Sequence, residues 1–414
     1  MEIAIIGGGI TGLALAMHLH KRGKTCRVYE AAPKVKELGV GITLLPHAMH
    51  EFRELGLEQD LLKAGIENRE SCFFNRFGQL IYKEPRGKFA GYETPEVGIH
   101  RGRLHMILFQ AARERLGAER ILEDRKCTGV RQAGGKVFLS LEQTSSGEPL
   151  PEIEADIAIA CEGVNSTIRK QLYPHDQVVY TGINTWRGTT LMPPILGGRT
   201  YMRVGSIRTG KIVIYPIVDD YDGQGNQLIN WMAEIETGDT SQRNDWNKPG
   251  ELKDFYHLYE NWTFDWLDVA KMIRDAGSIL EYPMVDKEPV GRWTFGRVTL
   301  AGDAAHPMYP RGSNGAAQGV IDARTLAGHL AATDDGEAAL KAYEDDRIEK
   351  TAAVVRTNRR NPPDFINIKV EELVGDKPFE NLDDYITQDE LRALSDGYKK
   401  VAGFSLDSLK QRPE

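Results

Sequence analysis

Long apolar runs, basic blocks and paired cysteines are all missing from this chain, and each absence removes a class of function. No run reaches the roughly 18 apolar residues that a membrane span needs, so no membrane partner is expected. The 52 Lys and Arg are outnumbered by 60 Asp and Glu, for a net charge of −8, and form no dense block. Neither a nucleic-acid backbone nor an anionic lipid surface is therefore an expected partner. Cys26, Cys72, Cys127 and Cys161 lack C-x-x-C spacing, which leaves metal and dithiol-redox chemistry unsupported and makes buried, reduced thiols the expectation. Met1 leads straight into the strand-like Ile3-Ala4-Ile5-Ile6 without a charged leader, so the expected location is cytoplasmic.

What is present points to a nucleotide. With 414 residues, 41% of them apolar, the chain can bury a large core divided among two or three domains. Its first thirty residues read as strand, glycine turn, helix and strand, one βαβ unit. The turn, Gly7-Gly8-Gly9-Ile10-Thr11-Gly12, fits G-x-G-x-x-G in the context that gives this motif meaning. Gly7 permits the tight turn, Gly9 lets the backbone approach a pyrophosphate, and Gly12 allows close helix–strand packing. Glu30 ends the second strand, where a carboxylate can accept the hydroxyls of an adenosine ribose.

This fingerprint leaves NAD and FAD open, and a distant segment separates them. Arg297-Val298-Thr299-Leu300-Ala301-Gly302-Asp303-Ala304-Ala305-His306-Pro307 reads as a buried strand followed by a glycine that lets backbone approach a ligand. Asp303 then offers a carboxylate suited to ribityl hydroxyls, which a flavin has and NAD lacks. Pro307 and Pro310 stiffen a loop ending in Gly312-Ser313-Asn314-Gly315 at a helix start, where free amides suit the anionic edge of a reduced flavin. The pair of segments predicts FAD.

Between them, helical periodicity marks 101–116, 246–280, 316–330 and 337–360, and β-branched runs mark 183–190, 200–204, 211–218 and 227–235. The expected architecture is α/β, a Rossmann-like FAD-binding domain with an inserted antiparallel β-sheet substrate domain and a helical C-terminal segment. The expected boundaries are 1–72, 97–176 and 283–362 for the first, 73–96 and 177–282 for the second, and 363–414 for the tail.

In these motifs the chain resembles the single-component flavoprotein aromatic hydroxylases of the para-hydroxybenzoate and salicylate hydroxylase type, to about residue 360. The phenazine-hydroxylase branch of that family, the pyocyanin-forming type, is suggested by Leu38-Gly39-Val40-Gly41-Ile42, His100-Arg101-Gly102, Tyr282-Pro283-Met284-Val285-Asp286 and Met308-Tyr309-Pro310. The resemblance implies that Arg101 contacts the ribityl or phosphate region, Asp303 the ribityl chain, and Asn314 and Gly315, with Pro307 and Gly312 in the same loop, the isoalloxazine edge. It places Gly41 beside the ring. Where the family carries an Asp-Gly signature serving FAD and the nicotinamide nucleotide, this chain has Glu162-Gly163, so Glu162 is a cofactor-binding candidate one methylene longer than the pattern.

The implied reaction is reduction of FAD by NADH or NADPH, uptake of O₂ as a C4a-hydroperoxide, and transfer of one oxygen to an electron-rich ring. The expected partner is a small phenolic, aminoaromatic or N-heteroaromatic acid, hydroxylated or oxidatively decarboxylated, and the chain is expected as monomer or homodimer. Trp186, Tyr215 and Trp231 of the inserted sheet are candidates for an aromatic pocket. His306, Arg311 and Tyr215 are the candidate catalytic residues, with substrate choice expected at Arg311. A flavin epoxidase or Baeyer–Villiger-like oxygenase shares every motif, and a non-catalytic FAD-binding redox sensor is the rival from another class.

Overall fold

The computed structural model describes residues 1–37, 39–237 and 248–410. Ile3–Ile6 is the centre of a six-stranded sheet, pairing in parallel with Ile157–Ala160 on one side and Cys26–Tyr29 on the other. Ile157–Ala160 then pairs in parallel with Val298–Leu300, whose neighbour Thr294–Phe295 closes that edge as an antiparallel hairpin. All residues of Ile3–Ile6 and Ile157–Ala160 are buried, as a parallel sheet covered on both faces requires. The helices Ile10–Lys21, Arg101–Leu116 and Gly315–Ala332 pack together, with Ile10–Lys21 touching both of the others. Segments nearly 300 residues apart in sequence thus become neighbours.

The inserted region forms an eight-stranded sheet in the order Lys248–Pro249, Ile279–Lys287, Val178–Met192, Gln227–Glu236, Gly210–Val218, Thr200–Ser206, Glu70–Phe74, Leu80–Pro85. It is antiparallel except where Thr200–Ser206 runs parallel to Glu70–Phe74. The register sets Trp186 opposite Ala233 and Arg187 opposite Met232, so successive residues of one strand face opposite sides.

The expected helix over 246–280 is not formed. Its first residues, 246 and 247, lie outside the described ones; the remainder begins and ends in the sheet strands Lys248–Pro249 and Ile279–Lys287 and holds between them two 3₁₀ turns, a short hairpin and one brief helix, Val269–Arg274, capped by the Asp268 carboxylate accepting from the Lys271 N–H at 2.7 Å. Phe255, Tyr259 and Trp262 recur at helical spacing, but all three are buried against one sheet face. Tertiary burial overrides local period here.

After the helix Gly336–Arg360, the chain continues as Phe365–Val374 and Gln388–Val401, the latter opened by a Thr387/Glu390 capping box. The apolar face of this tail is used within the chain. Leu391, Ile366 and Val370 pack with Phe73, Ile81 and Tyr82 from the edge of the large sheet.

Candidate functional site

The glycine turn is shaped by close backbone approaches. Gly7 adopts φ of +102°, and a Cβ there would lie 2.5 Å from the Cys161 carbonyl oxygen; a Cβ on Gly12 would collide with the Gly7 carbonyl. At Gly9, by contrast, a Cβ would meet nothing within 4 Å. The turn is therefore tight against the protein and open toward a ligand at the helix start. Glu30 spans its flank, accepting from the Gly8 N–H at 2.6 Å and the Ala32 N–H at 2.7 Å.

Thr11 joins this turn to the second segment. A Cβ on Gly302 (φ +59°) would sit 2.5 Å from the Thr11 hydroxyl oxygen, and one on Gly319 would also collide with it. Only glycine lets the 302–304 turn and the Gly315–Ala332 helix close on Thr11. Asp303 emerges from that turn exposed to solvent, with its Oδ1 3.8 Å from where a Gly315 side chain would begin. Although open, the carboxylate lies deep in a cleft. Desolvation raises its pKa, against the pull of His306 and Arg101. Arg101 is exposed at the start of its helix, and its side chain passes the left-handed Gly39. Gly41 donates its N–H to Asn230 Oδ1 at 2.7 Å, and a Cβ there would press on Asn230 and Ile217 at 2.7 and 2.8 Å. Through these contacts the glycine turn, Asp303, Arg101, Gly41 and one face of the large sheet form a chain of neighbours around one cleft side of the fold.

The FAD binding domain family matches residues 1–186 and 283–358. The chain belongs to that family. Among relatives, it is 36% identical to the phenazine 1,6-dicarboxylic acid hydroxylase of Lysobacter antibioticus, over 86% of this chain and 89% of the relative. It is 30% identical to the 3-amino-4-hydroxybenzoate 2-monooxygenase of Streptomyces cremeus, over 88% of each. In fold it is similar to Klebsiella pneumoniae HpxO, solved with FAD and uric acid, at a TM-score of 0.75 and 21% identity, covering 100% and 97% of the two chains. A salicylate hydroxylase substrate complex gives a TM-score of 0.74 at 20% identity, covering 100% and 98%. As a member of the FAD-binding family with these relatives, the chain is a flavin-dependent aromatic monooxygenase with FAD as its cofactor.

Several candidates occupy places that correct their expected roles. His306 is buried, with Nε2 2.5 Å from Asp322 Oδ2, while Arg347 Nε donates to Asp322 Oδ1 at 2.7 Å. Burial alone would raise the Asp322 carboxyl, but His306 and Arg347 outweigh it and bring it down to about 2. His306 thus holds the turn from behind, since Asp322 Oδ2 also accepts the Gly302 N–H at 3.0 Å. Arg311 is likewise committed. It donates to Asp364 Oδ2 at 2.6 Å, and Asp364 also pairs with Lys211 at 3.0 Å, itself 2.7 Å from Glu234. Glu162 accepts from the Ser166 hydroxyl at 2.5 Å and the Thr167 and Ile168 N–H groups at 3.2 Å each, so it organises the start of the helix Thr167–Leu172.

In the flavin-family loop, Pro307 and Gly312 are buried and Gly315 opens its helix. Gly312 is required by the tail, because a Cβ there would overlap the Tyr398 hydroxyl. The Asn314 side chain donates to Gly312 O at 3.1 Å and the Tyr398 hydroxyl at 2.8 Å, and its Oδ1 lies 3.1 Å from His47 Nε2. Its amide is occupied by protein. The sheet aromatics divide. Tyr215 lies on the cleft side, stacked with Tyr201 at 4.9 Å. Trp186 and Trp231 are buried on the opposite face with Phe255, Trp186 stacked on it at 4.9 Å, and so line no pocket at the cleft.

Sequence reasoning gave no role to the residues that lock the site. Asp322 stands among apolar Val320, Ile321 and Ala323 on a helix, a buried-acid signal that was there to read. Arg169, fully buried, donates to the Ala304 and Ala305 carbonyls at 3.0 and 2.7 Å and fixes the back of the Asp303 turn. Tyr398 also donates to Asn358 Oδ1 at 2.7 Å, and Phe404 stacks on His47 at 5.0 Å. No local pattern announces those tail contacts.

Proposed function

We propose that this chain uses NADH or NADPH as reductant and O₂ as oxidant to hydroxylate, or oxidatively decarboxylate, a phenolic, aminoaromatic or N-heteroaromatic acid. The supporting observation is the chain of contacts that brings the glycine turn, the Asp303 turn and the polar face of the large sheet together through Thr11, Arg101 and Gly41. The residues present fit FAD. Gly9 leaves room for a pyrophosphate at a helix start, Glu30 has lone pairs left for ribose hydroxyls, and Asp303 and Arg101 stand open for the ribityl chain and phosphates. The free amides at Gly315 would face the pyrimidine edge of the ring.

Bound flavin supplies hydride acceptance and O₂ activation. The chain's own residues bind, orient and exclude water. His306, Asp322, Arg347 and Arg169 keep the Asp303 turn rigid from behind, while Tyr215 on the sheet gives the ring of an aromatic acid a flat neighbour. The named relatives act on carboxylated or amino-hydroxylated aromatic rings, which supports the substrate class.

The test is a panel of aromatic acids offered to the purified yellow protein. An acid that speeds NADH or NADPH oxidation and yields a product heavier by one oxygen, or with loss of CO₂, is the expected result. Bound flavin that no member of the panel makes turn over would refute it.

A further inference from the structure

One face of the large sheet carries a charge that has no partner among the described residues. Arg187 lies on Val178–Met192, directly opposite Met232 and on the same face as Tyr215 and Asn230. Asn230, opposite Thr189, is the residue that accepts the Gly41 N–H. Arg187 therefore sits two residues, roughly 7 Å along the strand, from the contact between the sheet and Gly41.

Among the described residues the Arg187 guanidinium has no ion pair and no hydrogen bond, and its Nε is buried without a partner. It lies over the Tyr282 ring, 5.2 Å from the centroid. The other charges on this face have partners within the chain. Lys211 and Arg311 are matched by Glu234 and Asp364, and Arg203 donates to the Ser71 hydroxyl at 2.7 Å while lying over the Tyr201 ring. Burial pulls the Arg187 pKa down, and Arg101 across the cleft pulls in the same direction, against Tyr215 and Glu234. A half-buried guanidinium with unused donors is costly unless an anion joins it, and its planar fork matches a carboxylate.

We propose that Arg187 is the docking point for the carboxylate of the aromatic substrate, making this site selective for aromatic monoanions over neutral rings of the same shape. The inference rests on the oxygenase reading above and deepens it. With the carboxylate held on the sheet, the ring extends along Tyr215 toward Gly41. A phosphate of NADPH is the other anion with the right chemistry, and the experiment separates the two.

The probes are salicylate, 6-hydroxynicotinate and phenazine-1-carboxylate, each paired with its carboxamide, titrated against the holoenzyme by perturbation of the flavin absorbance. The expected result is that at least one acid binds wild type about 10- to 100-fold tighter than its amide. Arg187→Met should erase that preference by weakening the acid alone, and Arg187→Lys should restore part of it. KM for NADH and NADPH should stay unchanged in both variants, and flavin occupancy and Tm of Arg187→Met should equal or exceed wild type, because the change removes an unpaired buried charge. Acid and amide binding wild type alike, no acid perturbing the wild-type spectrum, equal loss of both ligands in Arg187→Met, or a loss confined to NADPH would each overturn the proposal. Turnover of the acids by Arg187→Met at wild-type kcat and KM would leave the oxygenase reading standing while this one fell.

Discussion

The two faces of the large sheet are made by the same strands and have opposite characters. On the outer face Trp186, Trp231, Phe255, Tyr259 and Trp262 form a continuous aromatic core, with Trp231 Nε1 satisfied by the Thr190 hydroxyl at 3.0 Å. On the cleft face Arg187, Arg203, Lys211, Asn230 and Glu234 alternate with Tyr201, Tyr215 and Met232. One face removes apolar area from water; the other holds polar groups at fixed positions beside Gly41. Strand alternation lets a single stretch such as Trp186-Arg187 serve both ends.

The sharpest way to break this division is to truncate its outer side. Trp231→Ala should cost about 3–5 kcal/mol of stability, read by denaturant unfolding, while the folded remainder keeps its order of preference among aromatic acids. A changed preference would show that the faces are not independent. Next in size is the charge behind the Asp303 turn. The Asp322 carboxyl is lowered to about 2 in the folded chain, against an ordinary value of 3.8. Its contribution is complete above about pH 4 and is lost as pH falls toward 2, a difference of roughly 2 kcal/mol. Asp322→Asn should flatten the acid limb of a stability–pH curve over that window, and an unchanged limb would remove the role given to His306 and Arg347.

Smaller effects probe the tail and the cleft. Tyr398→Phe leaves Asn314 and Asn358 each short of a partner and should cost about 1–2 kcal/mol, together with weaker flavin retention on a desalting column. Retention equal to wild type would detach the tail from the cofactor site. Tyr215→Phe should move stability by less than about 1 kcal/mol yet raise KM for the aromatic acid in steady-state turnover. The reverse pattern, a lower Tm at constant KM, would make Tyr215 part of the core.

The sequence carried the parts of this molecule that depend on local chemistry. The glycine fingerprint, the 302–304 turn, the helix Arg101–Leu116 and the four long strands of the insert follow from residue type and period. What escaped depended on partners far along the chain. His306 meets Asp322 sixteen residues later, and Arg311 meets Asp364 after 53, and neither pairing leaves a local trace. Each His or Arg therefore looked free. The division between Trp186 and Tyr215 needed the register, because alternation reveals that two neighbours face apart but not which face meets Gly41. The 246–280 segment misled for a related reason: aromatic residues spaced like a helix were spaced instead to fill one surface.

Asn314 is held from both directions, by His47, 267 residues before it, and by Tyr398, 84 residues after it. A ribosome adds about 5–20 residues per second, so the loop at the head of Gly315–Ala332 waits roughly 4–17 s for its last partner to be made. Everything else that shapes the glycine turn and Asp303 has left the ribosome by then. The nascent chain thus passes through a stage in which the glycine turn and the Asp303 turn have their partners and the loop at Asn314 does not.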